Sequence, residues 1–239
     1  MRACAYRLLR GESGDLAGGR AVAEDYAKGF KYLPPLYDAL EEYEKNRRKY
    51  RTLVDFGPRL LDEIDKIAKE GSESYLARQP FWGRINDAWS RTEPPVFVLP
   101  AEGKVAEYAR AVAESGKWKS KPKIVTDAEA LEMKPGESVF VVYGTVASNK
   151  FLAKLAPRLP VRVEKGAVVV DGEKFAGDKL RLIVAAPHPD KPAIPMVIYT
   201  GTDDDVVVGI NSVFHGPTGF VVADADRKIV GQGFLLRPR

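Results

Sequence analysis

The chain is poor in the residues that form disulfides and metal sites. Its 239 residues include one cysteine and two histidines. The single cysteine, Cys4, excludes an internal disulfide framework and a zinc site built from thiolates. The two histidines, His188 and His215, exclude sites that need three imidazole ligands. This scarcity removes several classes of metalloenzyme.

The common motifs of nucleotide binding and serine hydrolysis are missing as well. The P-loop pattern Gly-x-x-x-x-Gly-Lys does not occur, and no apolar strand is followed by Gly-x-Gly-x-x-Gly. The nucleophile elbow of α/β-hydrolases, Gly-x-Ser-x-Gly, is also absent. No motif of this kind identifies a reaction.

Long apolar runs are absent too. No stretch approaches the roughly 18 to 20 consecutive apolar residues that a membrane-spanning helix needs. The sequence Gly-Glu-Ser-Gly-Asp at 11–15 stands where a signal peptide would place its apolar region. We therefore expect a cytoplasmic protein that does not bind a membrane.

The chain has little excess of positive over negative charge. Thirty-seven Lys and Arg residues against 33 Asp and Glu residues leave a net charge of +4. Glutamates precede the basic run at 45–51 by one helical turn, which favours ion pairs on a solvated helix face over phosphate contacts. Lysines at 117–123 surround Trp118. Nucleic acid is therefore not the expected partner, and contact through these two basic runs is kept as an alternative.

Composition and prolines predict three segments. Residues 1–19, which are rich in glycine, are predicted to be a flexible lead-in. Residues 20–94 are predicted to be helical, and residues 95–239 to form an α/β domain. Pro94-Pro95 marks the predicted boundary, because the period of the apolar residues changes there.

Two apolar stripes dominate the helical segment. The stripe at 36–54 predicts one long helix, and Gly57-Pro58 is expected to interrupt the pattern. A second stripe at 60–68 stops at Gly71, which suits a helix C-cap. Together the stripes predict a helical hairpin that packs on a neighbouring element.

Short apolar runs alternate with helical patterns after residue 95. This alternation predicts an open, mostly parallel α/β sheet with crossover helices, ending in a C-terminal antiparallel hairpin. The predicted main strands are 96–99, 123–125, 139–142, 182–185, 196–199, 220–223 and 228–235, and a small β-excursion is predicted at 161–170.

Two of these strands break in the same way, at Gly-Thr before a predicted helix. The first leads to Gly144 and Thr145, and the second leads to Gly201 and Thr202. In an open α/β sheet, ligands bind outside the carboxyl ends of the strands, where such turns lie. We therefore predict a ligand-binding rim formed by Gly144, Thr145, Asn149, Gly201 and Thr202.

Other side chains near this rim are candidates for chemistry. His188 is predicted to act as a general base toward Ser148 or water, provided that the strand at 182–185 is parallel to its neighbours. Asp203 and Asp205 are predicted ligands of a divalent cation such as calcium, and favourable charge at a helix N-terminus is the alternative. His215 is expected at the opposite edge of the sheet, away from His188.

Short motifs rich in glycine and proline follow one another from about Ser138 onward. They are Val142-Tyr143-Gly144-Thr145, Asn149, Ala153, Leu159-Pro160, Asp171-Gly172, Gly177, Pro187-His188-Pro189 and Gly201. This set resembles the C-terminal α/β domain of secreted, multidomain bacterial esterases and peptidases of the prolyl-oligopeptidase type. In those proteins the catalytic serine lies in a separate domain, so the resemblance carries over no catalytic residue. It implies a hydrolase-associated accessory domain, and secretion as the alternative to the cytoplasm.

Three functions remain open on the sequence. The first is a hydrolase-associated accessory or ligand-binding module, whose partner is a small molecule or a protein. The second is a small stand-alone hydrolase of an ester, lactone or phosphoester, with a metal ion as an option. The third is the contact with nucleic acid through the basic runs.

Overall fold

The chain divides into two compact units. Residues Met1–Gln79 and Leu236–Arg239 form a helical unit, and Pro80–Leu235 form an α/β unit. The computed structural model describes residues 1–77, 79–90, 93–116, 118 and 120–237.

The α/β unit begins earlier than the boundary predicted at Pro94-Pro95. The backbone N–H of Phe81 donates to the carbonyl of Pro192, and that of Ile85 donates to Thr218. The indole Nε1 of Trp82 donates to the carbonyl of Leu235 at 2.7 Å. These bonds attach the segment before the prolines to the loops and the end of the α/β unit.

The helical unit contains five helices among its described residues. They are α1 (Arg2–Ser13), α2 (Asp15–Ala27), α3 (Leu33–Lys45), α4 (Leu53–Glu70) and α5 (Ser72–Ala77). The flexible lead-in predicted at 1–19 is therefore wrong, because α1 and the start of α2 occupy it. Buried Arg7 forms an ion pair with Glu44 of α3, and Arg2 pairs with buried Asp25 of α2 at 2.5 Å. These ion pairs connect α1 to α3 and α2.

The chain breaks between α3 and α4, so the prediction of one helix over 36–54 is wrong. The side-chain oxygen of Thr52 accepts a hydrogen bond from the backbone N–H of Asp55, and the Asp55 carboxylate accepts one from the N–H of Thr52. This reciprocal capping starts α4 at Leu53. The helix then continues through Pro58 to Glu70, past the break expected at Gly57-Pro58.

One face of α4 is apolar and exposed. Phe56 and Ile67 are buried, whereas Val54, Leu61 and Ile64 are exposed to solvent. The apolar stripe of this helix therefore contributes only partly to a core.

The α/β unit confirms the predicted fold class. Its elements are α6 (Ile85–Ala88), β1 (Val96–Leu99), α7 (Lys104–Ser115), β2 (Lys123–Thr126), α8 (Asp127–Glu132), β3 (Phe140–Tyr143), α9 (Lys150–Leu155), β4 (Val161–Glu164), β5 (Ala167–Val170), β6 (Glu173–Ala176), β7 (Arg181–His188), β8 (Lys191–Gly201), α10 (Asp204–Val207), β9 (Phe220–Ala223) and β10 (Ile229–Gly233). A seven-stranded sheet has the order β10-β9-β7-β8-β3-β1-β2, and β4, β5 and β6 form a separate antiparallel sheet. The C-terminal antiparallel hairpin is β9–β10.

The large sheet is mixed. Strands β2, β1, β3 and β8 are parallel, whereas β7 is antiparallel to both β8 and β9. The condition set for His188, that 182–185 runs parallel to 139–142 and 196–199, is therefore not met. Only Pro189 and Asp190 separate β7 from β8. A connection this short can join only antiparallel neighbours, because parallel strands need a crossover of about a dozen residues or more.

Apolar side chains cover both faces of the large sheet. In β3, Phe140 and Val142 pack on the side of α9 and β5, and Val141 and Tyr143 pack on the side of α7 and α10. Burial on both faces explains why the central strands are continuous apolar runs rather than alternating ones. None of the helices in the described residues is both long enough and apolar enough to cross a membrane.

Candidate functional site

The carboxyl ends of β3 and β8 define one edge of the sheet. The two strands are parallel and in register from Phe140 with Met196 to Tyr143 with Tyr199. Gly144 follows β3 with a φ of 130°, and a Cβ placed there would lie 3.0 Å from the Cβ of Asn149. Glycine suits this turn, because the backbone conformation is strained for other residues and the space for a Cβ is tight.

A carboxylate joins the turns that follow β3 and β8. The hydroxyls of Ser148 and Thr145 both donate to Oδ1 of Asp204, at 2.7 and 3.0 Å. Oγ of Ser148 also accepts a hydrogen bond from the backbone N–H of Thr145 at 3.0 Å. We call Thr145, Ser148 and Asp204 the rim cluster. Its members are bonded to one another, so their orientation is fixed before any ligand arrives.

Asn149 is buried beneath the rim cluster. It is 0% exposed, and its Nδ2 donates to the carbonyl of Tyr143 at 2.9 Å. Its Oδ1 accepts a hydrogen bond from the N–H of Leu152 at 2.9 Å. The side chain predicted to bind ligand therefore caps α9 and satisfies the end of β3.

Gly201, the last residue of β8, and Thr202 after it pack against the segment before β7. The hydroxyl of Thr202 donates to the carbonyl of Asp178 and accepts a hydrogen bond from the N–H of Leu180. A Cβ at Gly201 would lie 2.6 Å from the carbonyl oxygen of Leu180, so glycine is required by this close approach. Both residues close a turn, and their role toward a ligand stays a prediction.

The three consecutive aspartates of α10 have three different partners. Asp203 caps the helix by accepting a hydrogen bond from the N–H of Val206, and Asp204 belongs to the rim cluster. Asp205 forms an ion pair with Lys104, whose hydrogen bond and positive charge lower the pKa of the Asp205 carboxyl. These carboxylates have separate partners, and the cation site at Asp203 and Asp205 stays a prediction. The described residues contain no group of three His, Cys, Asp or Glu side chains suited to a metal ion.

His188 lies at the other edge of the sheet from Ser148. It ends β7, and its ring centroid is 5.3 Å from that of Phe140, the first residue of β3. Its Nδ1 accepts a hydrogen bond from the N–H of Asp190 at 3.1 Å. Burial lowers the pKa of His188, and the Asp190 carboxylate opposes that shift. The predicted pairing of His188 with Ser148 is therefore wrong, because β7 runs opposite to β3 and β8.

His215 shares an edge with His188, contrary to expectation. It precedes β9, whose first residue, Phe220, pairs with Val184 of β7. Because β7 runs toward this edge and β9 starts from it, both histidines belong to the end of the sheet opposite the rim cluster.

The rim cluster lacks the parts of a serine nucleophile. An activated serine needs an adjacent base that takes its proton, with a third group that orients the base. In the described residues, Oγ of Ser148 is bonded only to Thr145 and Asp204, and no nitrogen base contacts it. The arrangement holds the turns together and provides no general base of the histidine type.

The rim cluster could be predicted from sequence only in part. The turns at Gly144 and Gly201 were visible because glycine follows an apolar run in both. Asp204 was missed, since its contact with Ser148 joins residues 56 positions apart and no local pattern marks it. The run of three aspartates was the one available signal.

Lys45 of the first basic run and Trp118 of the second have partners within the chain. Lys45 pairs with Glu41 one turn earlier on α3, at 2.7 Å. The ring of Trp118 stacks on that of Trp89 with centroids 5.3 Å apart. Lys117 and Lys119 lie outside the described residues.

Comparison with known proteins bears on the helical unit. Residues 1–63 match the model of a family described as a domain of unknown function (DUF4932). The match spans α1 to α3 and the first part of α4, and it includes none of the rim cluster. No curated protein matches the chain.

Proposed function

We propose that this chain is a non-catalytic accessory module of a hydrolase, which presents its α/β unit to a ligand or partner protein. The observation that carries the proposal is the position of Ser148. Its hydroxyl is bonded to Asp204, while His188 ends a strand at the opposite edge of the sheet. The likeness of residues 138 onward to accessory domains of esterases and peptidases supports the same role.

The rim cluster suits recognition better than catalysis. Its two hydroxyls both donate to the Asp204 carboxylate, which fixes their orientation, and no histidine contacts them among the described residues. The exposed tip at Val146 and Ala147 lies between Thr145 and Ser148 on a fixed turn. A rigid turn that displays exposed residues lowers the entropy cost of binding, because it needs no ordering.

An assay of hydrolysis tests the non-catalytic role. The purified chain is incubated with nitrophenyl esters of short acids and with nitrophenyl phosphate, with and without a chelator. For every substrate we expect the rate of spontaneous hydrolysis in buffer alone, and the same rate for Ser148→Ala. Turnover that Ser148→Ala abolishes would overturn the proposal, provided that Ser212→Ala, a serine outside the rim cluster, retains it and circular dichroism shows both variants folded.

A titration followed by NMR tests the binding role. Backbone amide resonances of residues 144–150 are followed while a set of small esters and their acids is added. We expect shifts in these amides and none in α3 or α4. The same resonances are then followed while a separately purified hydrolase domain is added. If neither the small compounds nor this domain shifts the amide resonances of 144–150, the rim is not a binding surface.

A further inference from the structure

A buried arginine lies beside the rim, at the start of β7. Arg181 is 7% exposed and pairs with Gly201 of β8 and Ala223 of β9. Its Nη1 donates to the carbonyls of Asp224 and Ala225, at 2.6 and 2.8 Å. Its Nε is buried and has no hydrogen-bond partner among the described residues.

The unused side of this guanidinium has a defined shape. Nε and Nη2 project parallel N–H groups along one edge of the plane, and that edge matches two oxygens of a carboxylate or a phosphoryl group. Both carbonyl contacts of Arg181 use Nη1, so this edge forms no hydrogen bond with a described residue. A buried charged donor without an acceptor is costly, which makes an acceptor from outside the chain favourable.

A second arginine approaches from the turn between β9 and β10. Arg227 is exposed and has a φ of 67°, a left-handed conformation that glycine usually supplies at such turns. Its Nη2 lies 3.6 Å from the position that a Cβ on Gly209 would occupy. The two cations are neighbours because Nη1 of Arg181 is bonded to Asp224 and Ala225, in the same turn that carries Arg227. Burial lowers the pKa of Arg181, and the positive charge of Arg227 lowers it further.

The turn that carries Arg227 is fixed by a carboxylate. Oδ1 of Asp224 accepts hydrogen bonds from the N–H groups of Asp226 and Lys228, both at 2.9 Å. Neither Arg181 nor Arg227 has a carboxylate oxygen within 4.0 Å among the described residues. Asp203, Asp224 and Asp226 act on Arg181 only at longer range.

We infer that Arg181 and Arg227 form a binding site for an oxyanion, a carboxylate or a phosphoryl group, between Gly209 and the turn after β9. Arg181 supplies the two parallel N–H groups, and Arg227 supplies a second positive charge from the solvent side. The charges of Asp203, Asp224 and Asp226 offset part of this positive charge, so we expect weak but saturable binding of a small anion. This inference does not rest on the proposed function, since it includes no reaction.

A titration with two anions tests the site. Inorganic phosphate and acetate are added separately at constant ionic strength, with chloride as the reference. The Nε–H resonance of Arg181 is followed by NMR, together with the affinity from calorimetry. We expect this resonance to shift and saturate with at least one of the two anions, and which anion binds tells phosphoryl from carboxylate specificity.

The variant for the same titration is Arg227→Ala, because Arg227 is exposed and its removal leaves the core intact. We expect a loss of affinity of about tenfold or more, with Arg162→Ala on exposed β4 unchanged as the matched control. An Arg181 resonance that responds to neither anion, or to chloride equally, overturns the inference. Equal affinity of Arg227→Ala and the original chain overturns it too. These results are independent of any turnover, so they separate this inference from the proposed function.

Discussion

The helical unit and the α/β unit are stabilised by different interactions. Charged pairs such as Arg7 with Glu44 and Arg59 with Glu42 connect the helices, and much of the apolar face of α4 is exposed. In the α/β unit, strands such as β1 and β3 are buried along their whole length. Apolar burial contributes more to stability than exposed ion pairs do, so we expect the α/β unit to be the more stable of the two.

The difference also shows where periodicity is informative. A strand buried on both faces is a continuous apolar run, and such runs predicted the central strands β1, β3 and β8. An amphipathic stripe shows only that one side of a helix is apolar, and α4 exposes Leu61 and Ile64 on such a stripe. Burial is therefore harder to predict in the helical unit than in the sheet.

The largest expected effect comes from the aromatic core of the α/β unit. Phe97 is 0% exposed and contacts the rings of Trp118 and Tyr143. Phe97→Ala leaves a cavity, and we expect the free energy of unfolding of this unit to fall by about 3–5 kcal/mol. Hydrogen exchange of amides in β1, β3 and β8 measures the loss.

The matched change in the other unit is Phe56→Ala, at a residue that is also 0% exposed. It should weaken protection in α3 and α4 and leave β1, β3 and β8 as they were. Equal loss in both units from either change would show one cooperative structure and contradict the comparison.

An intermediate effect is expected from mild acid. Burial lowers the pKa of His188 below the ordinary 6.5. Just below pH 6.5, His188 is therefore protonated in the unfolded chain and still neutral in the folded α/β unit. This contribution to stability is present above pH 6.5 and is lost as the pH falls below it. Burial opposes the shift at Asp25, but hydrogen bonds from Tyr6 and Arg2 hold its pKa below 3.8, so its contribution persists until stronger acid.

Hydrogen exchange at pH 7.5 and 5.5, corrected for the intrinsic rates, separates the contribution of His188 from that of Asp25. Protection in the α/β unit should fall relative to that in the helical unit, and His188→Gln should remove the difference. A fall of the same size in α2 and α3 would assign the acid sensitivity to another group.

The smallest effect is expected on the exposed face of α4. Leu61 is 61% exposed, so Leu61→Gln should change the free energy of unfolding by no more than about 0.5 kcal/mol. Ile67→Gln on the buried side of the same helix should cost several times more. Denaturant titration of both variants measures the ratio, and a large loss for Leu61→Gln would show that this face is covered in solution.

The fold class was predictable because apolar runs and their spacing are local properties. Pairing direction is not local, so the apolar run of β7 left open whether this strand is parallel or antiparallel to its neighbours. The short connection at Pro189 and Asp190 indicates that β7 and β8 are antiparallel, since it leaves no room for a crossover. At the candidate site, the turns at Gly144 and Gly201 could be found from the sequence. The rim cluster and the arginines near Gly209 could not, because their contacts depend on strands that are distant in sequence.

The hydrogen bond between Trp82 and Leu235 has a topological consequence. It joins the first and last parts of the α/β unit, so the chain enters and leaves this unit at neighbouring points. The chain returns to the helical unit at Leu236, so the α/β unit is an insertion whose two ends lie close together. A unit of this kind can be transferred into a surface loop of another protein as a single cassette, since its ends span a short gap. The same geometry permits circular permutation, with the original ends joined and new ends opened in an exposed turn.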